Sequence, residues 1–293
     1  MIPNRFTYSR YQACLLLLFC LLAGRPVYGQ NQQPDWGFIK FLIDREEYNR
    51  ALLALDKFSL TNTGSCDSAG FYRGWALYNE KQLKESTESF SRVSPSSPLF
   101  VRSGLFGSWN QAYLKDYPSA NNWLSRLNSS SPDEAALIRF ETLGMQLLAR
   151  NLAEYKVLRS DVSNAHYAWN ESLDKMDHYA HQLGLYKAKS PVLSGLFSSV
   201  IPGLGKIYTG QIGSGISAFL TCGAMGAITV ENGLRSGWGH WSTWVFGSLF
   251  TLFYAGNIYG SIVSAKAVGV DQQEDMDQRI LLDMHLPLRE FYR

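Results

Sequence analysis

The residues of this chain that come closest to a known chemical motif are the glycines and the lysine of residues 202–210, Pro-Gly-Leu-Gly-Lys-Ile-Tyr-Thr-Gly. A Gly-Lys pair is typical of phosphate-binding Walker loops. In these loops a serine or threonine follows the lysine, and a further glycine lies five positions before the glycine of the pair. Here Val200 takes the position of that first glycine, and Ile207 takes the position of the hydroxyl residue. A dinucleotide fingerprint also fails, because no strand pattern precedes the run and no third glycine is in register. We therefore predict no nucleotide and no other cofactor.

The other candidate chemical groups are scattered. The chain contains no Gly-x-Ser-x-Gly elbow and no His-Glu-x-x-His motif, so the sequence offers no nucleophile, base and acid in a known arrangement. His178 and His181 are three residues apart, which could bring both to a metal, but no third ligand of obvious type lies near them. We predict no catalytic residue and no metal site, and we predict that the protein is not an enzyme.

Two apolar segments follow the glycine-rich run, residues 212–230 and 241–263, and neither contains a charged residue or a histidine. As helices they would be roughly 28 and 34 Å long, against a hydrocarbon core of roughly 30 Å. Small residues recur at four-residue spacing, which allows close helix packing in lipid, and aromatic residues crowd the segment ends. We predict two membrane spans joined by a short turn. The alternative is a buried helical hairpin in a large soluble fold.

The glycine-rich run is interpreted as a structural membrane motif, in which Pro202 ends a short helix of residues 192–201 and the glycines allow conformations closed to other residues. Lys206 and Tyr208 are expected at headgroup level. Gly256, Asn257 and Gly260 are expected to pack the spans together. The motif residues are Pro202, Gly203, Gly205, Lys206, Tyr208 and Gly210. The run and the segments after it, over residues 190–266, resemble small two-transmembrane-type domains of bacteria. That resemblance implies a membrane module without catalysis.

The region before the motif is internally periodic. Segments beginning at Tyr48, Leu83, Tyr117 and Leu152 start 35, 34 and 35 residues apart, and a helical segment precedes each of them. About 130 residues resemble the tetratricopeptide repeat, a helix-turn-helix unit of 34 residues. The family's small positions correspond to Ala51, Ser86 and Ala120 on second helices and to Gly74 and Ser108 on first helices. The alternative is an unrelated helical bundle.

A stack of such units implies a concave groove that receives a peptide or a protein. The candidate lining residues are Arg73, Tyr78, Asn110, Tyr113 and Arg139. With 27 basic and 25 acidic residues the chain has a formal charge of +2, so no nucleic acid partner is predicted.

The predicted fold is all-α: a tetratricopeptide-like helical-hairpin solenoid, then a transmembrane helical hairpin preceded by a short interfacial or re-entrant helix. The predicted domains are a signal peptide (1–29), the repeat domain (30–160), a connecting helix (161–189), the membrane domain (190–270) and a C-terminal tail (271–293). The signal rests on a basic start, an eleven-residue apolar core and a small residue before Gln30. The tail carries a weak apolar stripe that could pack back on the repeats.

These features predict a protein of a bacterial cell membrane, with its repeat domain on the periplasmic side. The lysines flanking the spans oppose that orientation by the positive-inside rule, and the C-terminus would become cytoplasmic if residues 190–209 also crossed. The predicted function is a membrane-anchored scaffold or assembly factor whose partners are the lipid bilayer and a protein or peptide. One alternative is a subunit of a transport or protein-insertion machine. Another is a membrane-embedded enzyme using Lys206, Tyr208 or His240.

Overall fold

The computed structural model describes residues 35–59, 66–162 and 170–292, so the predicted signal peptide lies outside the described residues. Within these ranges the chain forms helices and no strand, and the predicted all-α class is confirmed. The chain divides into two compact units, one ending at Ser65 and the other beginning at Cys66. The helices, in chain order, are α1 (Trp36–Asp44), α2 (Tyr48–Ser59), α3 (Cys66–Asn79), α4 (Leu83–Phe90), α5 (Phe100–Tyr113), α6 (Tyr117–Ser125), α7 (Pro132–Leu148), α8 (Leu152–Asp161), α9 (Asn170–Leu185), α10 (Pro191–Val200), α11 (Leu204–Tyr208), α12 (Ile212–Ser236) and α13 (Trp241–Phe291).

The first unit contains the helical hairpin of α1 and α2. Asp35 begins α1 by accepting a hydrogen bond from the Phe38 N–H at 2.6 Å, which satisfies a backbone donor that the first helical turn leaves free. Trp36 packs on Phe58 with ring centroids 5.4 Å apart, and Ile39 and Ala51 are buried between the helices. The first predicted repeat segment is therefore a helix pair with its own small core.

One turn recurs between the paired helices. Glu46, Lys81, Lys115 and Arg150 have φ between 59° and 64°, and they lie 35, 34 and 35 residues apart. Each donates its N–H to the carbonyl three residues earlier, and the next N–H reaches the carbonyl five residues earlier. This is the Schellman pattern that ends helices with a left-handed residue. The predicted spacing is thus the spacing of a repeated backbone turn.

The predicted small positions lie where paired helices cross in the second unit. Ser86 Oγ donates to the Gly74 carbonyl at 2.8 Å, and Ser108 Oγ donates to the Ala120 carbonyl at 3.0 Å. The two pairs occupy equivalent positions, because Ser108 lies 34 residues after Gly74 and Ala120 lies 34 residues after Ser86. A Cβ on Gly74 would lie 2.5 Å from the Phe90 ring. The helices approach so closely there that larger side chains would force them apart.

The expected connecting helix, 161–189, is shorter than predicted. Helix α8 ends at Asp161, α9 covers Asn170–Leu185, and residues 186–190 are not helical. The predicted apolar stripe of this helix does reach the core, because Leu173, Met176 and Tyr179 are buried.

Helix α13 has 51 residues, which makes it about 77 Å long. Its first part packs on α10 and α12, and its last part packs on α5, α7 and α9. The segments predicted as a second span (241–263) and as a separate tail (271–293) are therefore parts of one helix. Among the described helices, α12 is the one that is long and apolar enough to cross a membrane, and α13 does not meet the same criterion. Asn257 and the tyrosines lower the hydropathy of its apolar part.

Candidate functional site

The predicted glycine motif lies in a small helical module, which we call the apolar module: α10, α11, α12 and residues 241–266 of α13. Its interior is held by serine hydroxyls. Ser194 Oγ lies 3.0 Å from the Gly205 carbonyl and 2.9 Å from the Ser261 carbonyl. Ser198 Oγ accepts the Gly205 N–H at 3.0 Å and lies 2.7 Å from Ser261 Oγ. Since both serines are fully buried, these bonds satisfy backbone groups that no water reaches.

The glycines of the motif are required by close backbone approach. A Cβ on Gly205 would lie 1.9 Å from the Ser194 carbonyl oxygen, and one on Gly203 would lie 2.0 Å from the Gly215 carbonyl oxygen. Gly203 also has φ +85°, a conformation that side chains disfavour. Gly210 has φ +92° but nothing within 4 Å, so its role is conformational alone.

Helices α10 and α11 form a hairpin that enters and leaves the apolar module at the same end. Helix α10 is antiparallel to α13, because Ser194 pairs with Ser261 while the Tyr254 hydroxyl reaches the Ser199 carbonyl. After the turn at Gly203 the chain returns along α11, and the Gln211 side chain then accepts a hydrogen bond from Ser264 at 2.5 Å. Helix α12 then runs antiparallel to α13, from the end of the module near Ser264 to the end where α13 begins.

The outer surface of the apolar module is hydrophobic. Only 11% of the most apolar window of α12 is buried inside the structure. Large exposed apolar side chains of the module include Val192, Leu196, Val200, Ile212, Phe219, Leu220, Leu252, Phe253 and Tyr259. The module therefore has small polar residues inside and large apolar residues outside, the reverse of a fold that packs in water.

The other predicted motif and packing residues have separate positions. Tyr208 packs edge-on against Phe197, and Lys189 Nζ lies over the Tyr208 ring, 4.9 Å from its centroid. Lys206 points the other way, and its Cε lies 4.0 Å from the Cβ position of Gly260. Asn257 is buried, whereas a Cβ on Gly256 would meet nothing within 4 Å. Pro202 is half-buried at the turn. The expected close contact at Gly256 is therefore not found, and Gly260 is approached by a lysine rather than by a helix backbone.

The second candidate site is the face of α3, α5 and α7, the first helices of the predicted repeat units. The end of α13, from residue 274 to Phe291, covers it together with Tyr292, and we call it the covered face. Trp109 stacks on His285 at 4.3 Å and donates through Nε1 to the Leu281 carbonyl at 3.3 Å. The Tyr78 hydroxyl contacts His285 Nε2. Met284 enters the space above Gly144, where a Cβ would lie 2.4 Å from the Met284 sulfur.

Charged and polar pairs fix the covering helix along its length. Asp277 binds Arg150 at 2.7 Å and accepts from the Tyr117 hydroxyl at 3.2 Å. The Tyr179 hydroxyl donates to Asp283 at 2.5 Å. At the end of the chain, Arg102 donates to the Tyr292 carbonyl at 2.9 Å. Because Ile280, Met284 and Leu288 are also fully buried, the end of α13 is part of the hydrophobic core of the second unit.

The predicted groove residues do not form one open surface. Tyr78 lies under α13. Asn110 is fully buried and donates to Ser86 Oγ at 3.0 Å. Tyr113 and Arg139 are exposed, and Arg73 is half-buried. The weak apolar stripe at Ile280, Leu281 and Met284 indicated that the tail could pack back, and the structure buries all three residues. The sequence did not indicate that this stripe belongs to a helix that begins at Trp241. Nor did it indicate the interior serines, of which Ser194 and Ser198 are spaced i, i+4.

Two titratable groups are buried near the covering helix. Burial lowers the pKa of His285 to about 4, and the positive charges of Arg289 and Lys81 act in the same direction. Glu141 is 2% exposed, and its Oε1 has no hydrogen-bond partner among the described residues. Burial raises the pKa of Glu141 well above its usual value, which favours the protonated carboxyl in the folded protein. It lies within electrostatic range of Tyr78.

Glu141→Gln is expected to stabilise the protein at high pH. Above about pH 4.5 the unfolded chain releases the Glu141 proton while the folded chain keeps it, so unfolding becomes easier as pH rises, by up to about 1.4 kcal/mol per pH unit until the raised pKa is reached. A neutral amide of the same shape removes this dependence. Thermal unfolding between pH 4 and pH 8 should show a Tm gain that grows with pH. The exposed Glu290→Gln should show none, and a variant less stable than the wild type at pH 8 would contradict the argument.

Neither site resembles a metal or cofactor centre. No group of three or more His, Cys, Asp or Glu side chains within metal-binding reach occurs in residues 35–59, 66–162 or 170–292. His178 lies 2.8 Å from Gln182 instead. Comparison of the chain with known protein families, with curated proteins and with solved structures gave no match. The two motif resemblances stay predictions.

Proposed function

We propose that the chain is a membrane-anchored, exported repeat protein that acts as a protein-binding scaffold or assembly factor at a bacterial envelope. The observation that carries the proposal is the reversed polarity of the apolar module, with serines and glycines inside and large apolar side chains outside. Lipid is the solvent that such a surface requires, and small interfacial residues with interhelical hydroxyl bonds are how helices associate in lipid.

In this proposal α12 and residues 241–263 of α13 are the two spans, and α10 with α11 is a re-entrant hairpin. Helix α10 has ten residues, about 15 Å, which is half of a hydrocarbon core. At the turn after it, Gly203 is buried against the Gly215 backbone, which fits the requirement that non-helical backbone in a membrane be covered by protein. Both α9, which precedes the module, and the end of α13, which follows it, pack in the same unit. This supports an even number of crossings, with the repeat domain and the C-terminus on one side.

The repeat domain is interpreted as a tetratricopeptide-like solenoid. The recurring left-handed turn and the matched Ser86–Gly74 and Ser108–Ala120 contacts support this reading. Its groove side corresponds to the covered face, so the surface offered to a partner is a composite of repeat and covering helix. Exposed apolar residues on and beside that helix are Tyr113, Leu282 and Leu286.

Two measurements test the proposal. The full chain should pellet with membranes after high-speed centrifugation of lysed cells and should need detergent for release; recovery in the supernatant would overturn the anchor. A partner captured from detergent extracts should then be lost from the double variant Tyr113→Ala, Leu282→Ser. Val157→Ala, which changes an equally exposed side chain on α8, should retain it.

A further inference from the structure

Lys206 places a positive charge within the apolar module. Its side chain lies against α13 at Gly260, and it lies within electrostatic range of the buried Cys222 of α12. No ion pair or side-chain hydrogen bond of Lys206 occurs with the described residues. No carboxylate close to Lys206 in sequence or on α13 up to residue 270 is available as an ion-pair partner, because residues 178–230 and 241–270 contain no Asp or Glu. An ionisable group in such a setting is expensive to keep and marks a binding site by default.

Asn257 lies one helical turn from Gly260 on the same helix. It is 7% exposed, and neither its Oδ1 nor its Nδ2 has a hydrogen-bond partner within the described part of the chain. It is also one turn from Ser261, whose hydroxyl is fully paired with Ser198. A buried carboxamide with no partner is destabilising, because its desolvation is not compensated. It lies one turn from the position where Lys206 meets α13, and its Nδ2 is an unused donor for an anionic ligand.

Further lysines surround the same end of the module. Lys189 precedes α10 and lies over the Tyr208 ring, and Lys266 follows the Ser264–Gln211 contact by two residues. Both lysines are exposed, as is Lys187. Two glycines leave α13 without side chains on the face that Lys206 contacts: a Cβ on Gly256 would meet nothing within 4 Å, and one on Gly260 would meet the Lys206 side chain at 4.0 Å. A headgroup can therefore approach the helix backbone beside Lys206.

We propose that Lys206 and Asn257 form a binding site for a phosphate group, with the phosphodiester of an anionic membrane lipid as its source. The ammonium and the carboxamide N–H donate hydrogen bonds to phosphate oxygens, and Lys189 and Lys266 concentrate anionic lipid at this end of the module. The inference rests on the proposed membrane function.

The test uses the full mature chain in nanodiscs of phosphatidylcholine, with or without phosphatidylglycerol, and native mass spectrometry of the lipids that stay bound. The wild type should retain phosphatidylglycerol preferentially. Lys206→Gln should lower that retention about tenfold, the loss expected for one charge-assisted contact. Lys206→Arg should restore it, and Lys187→Gln, an equal change of charge at the same end, should leave it intact. Equal retention in the wild type and Lys206→Gln would overturn the site.

Two further arms separate the explanations. Asn257→Leu should keep or raise the Tm in phosphatidylcholine alone and should lose the additional Tm gain from phosphatidylglycerol. If Asn257 had only a structural role, its substitution would lower the Tm in both kinds of disc. Inorganic phosphate added to phosphatidylcholine discs should give no such gain; if it does, free phosphate is the source, and the lipid assignment is wrong. The wild type and all variants should pellet with membranes. A wild type that stays in the supernatant would refute the proposed membrane function, whereas a wild type that pellets without retaining phosphatidylglycerol would refute only the site.

Discussion

Gly205→Ala is expected to prevent the apolar module from assembling. The added methyl group would lie 1.9 Å from the Ser194 carbonyl oxygen and 2.6 Å from Ser198 Oγ. The first of these atoms belongs to the backbone, so it cannot turn away as a side chain can. The helices must separate, and the bonds from Ser194 and Ser198 to the Gly205 backbone are lost with the separation. We expect a destabilisation on the order of 4 kcal/mol or more.

The matched control is Gly213→Ala, which adds the same methyl group to a helical glycine of the same module with nothing within 4 Å. It should be neutral or slightly stabilising, because alanine favours the helix over glycine. Size-exclusion chromatography and thermal unfolding in detergent measure both variants. A monodisperse Gly205→Ala protein with a wild-type Tm would show that the contacts of Ser194 and Ser198 with the Gly205 backbone do not hold the module together.

The helix starts at Tyr48, Leu83, Tyr117 and Leu152 were predictable from the sequence, because helices that bury one apolar face on their neighbours repeat that pattern along the chain. Ala51, Ser86 and Ala120 were identifiable as packing positions for that reason. The recurring turn itself was not identifiable, because Glu46, Lys81, Lys115 and Arg150 adopt a conformation that sequence rules assign to glycine. The surrounding helix pair imposes that conformation on them.

The motif of the apolar module was predictable only in part. Gly203 and Gly205 indicated a tight turn, and the structure places each against a backbone carbonyl. The atoms they approach belong to Ser194 and Gly215, and no local pattern connects those positions. Similarly, Tyr78 was expected to line an open groove. It is covered instead by a helix that begins at Trp241, and contacts between residues so far apart in sequence leave no periodic signal.

Leu288→Asp is expected to release the end of α13 from the covered face. Leu288 is 0% exposed and belongs to the hydrophobic core, so the substitution removes a buried apolar side chain and places a carboxylate in its position. The combined loss is on the order of 5 kcal/mol. Leu282→Asp is the matched control on the same helix. Leu282 is 57% exposed, and its replacement should cost no more than about 1 kcal/mol.

Hydrogen exchange of residues 274–292 in the full chain measures this release directly. In Leu288→Asp the amides of this segment should exchange much faster than in the wild type, while those of the apolar module keep their protection, because the two parts of α13 pack on different helices. Unchanged protection of the segment would show that the covering helix does not depend on its apolar stripe. Release also removes one half of the composite surface, so partner binding should fall with it. An increase in binding would instead identify the face beneath α13 as the partner's site and the helix as its competitor.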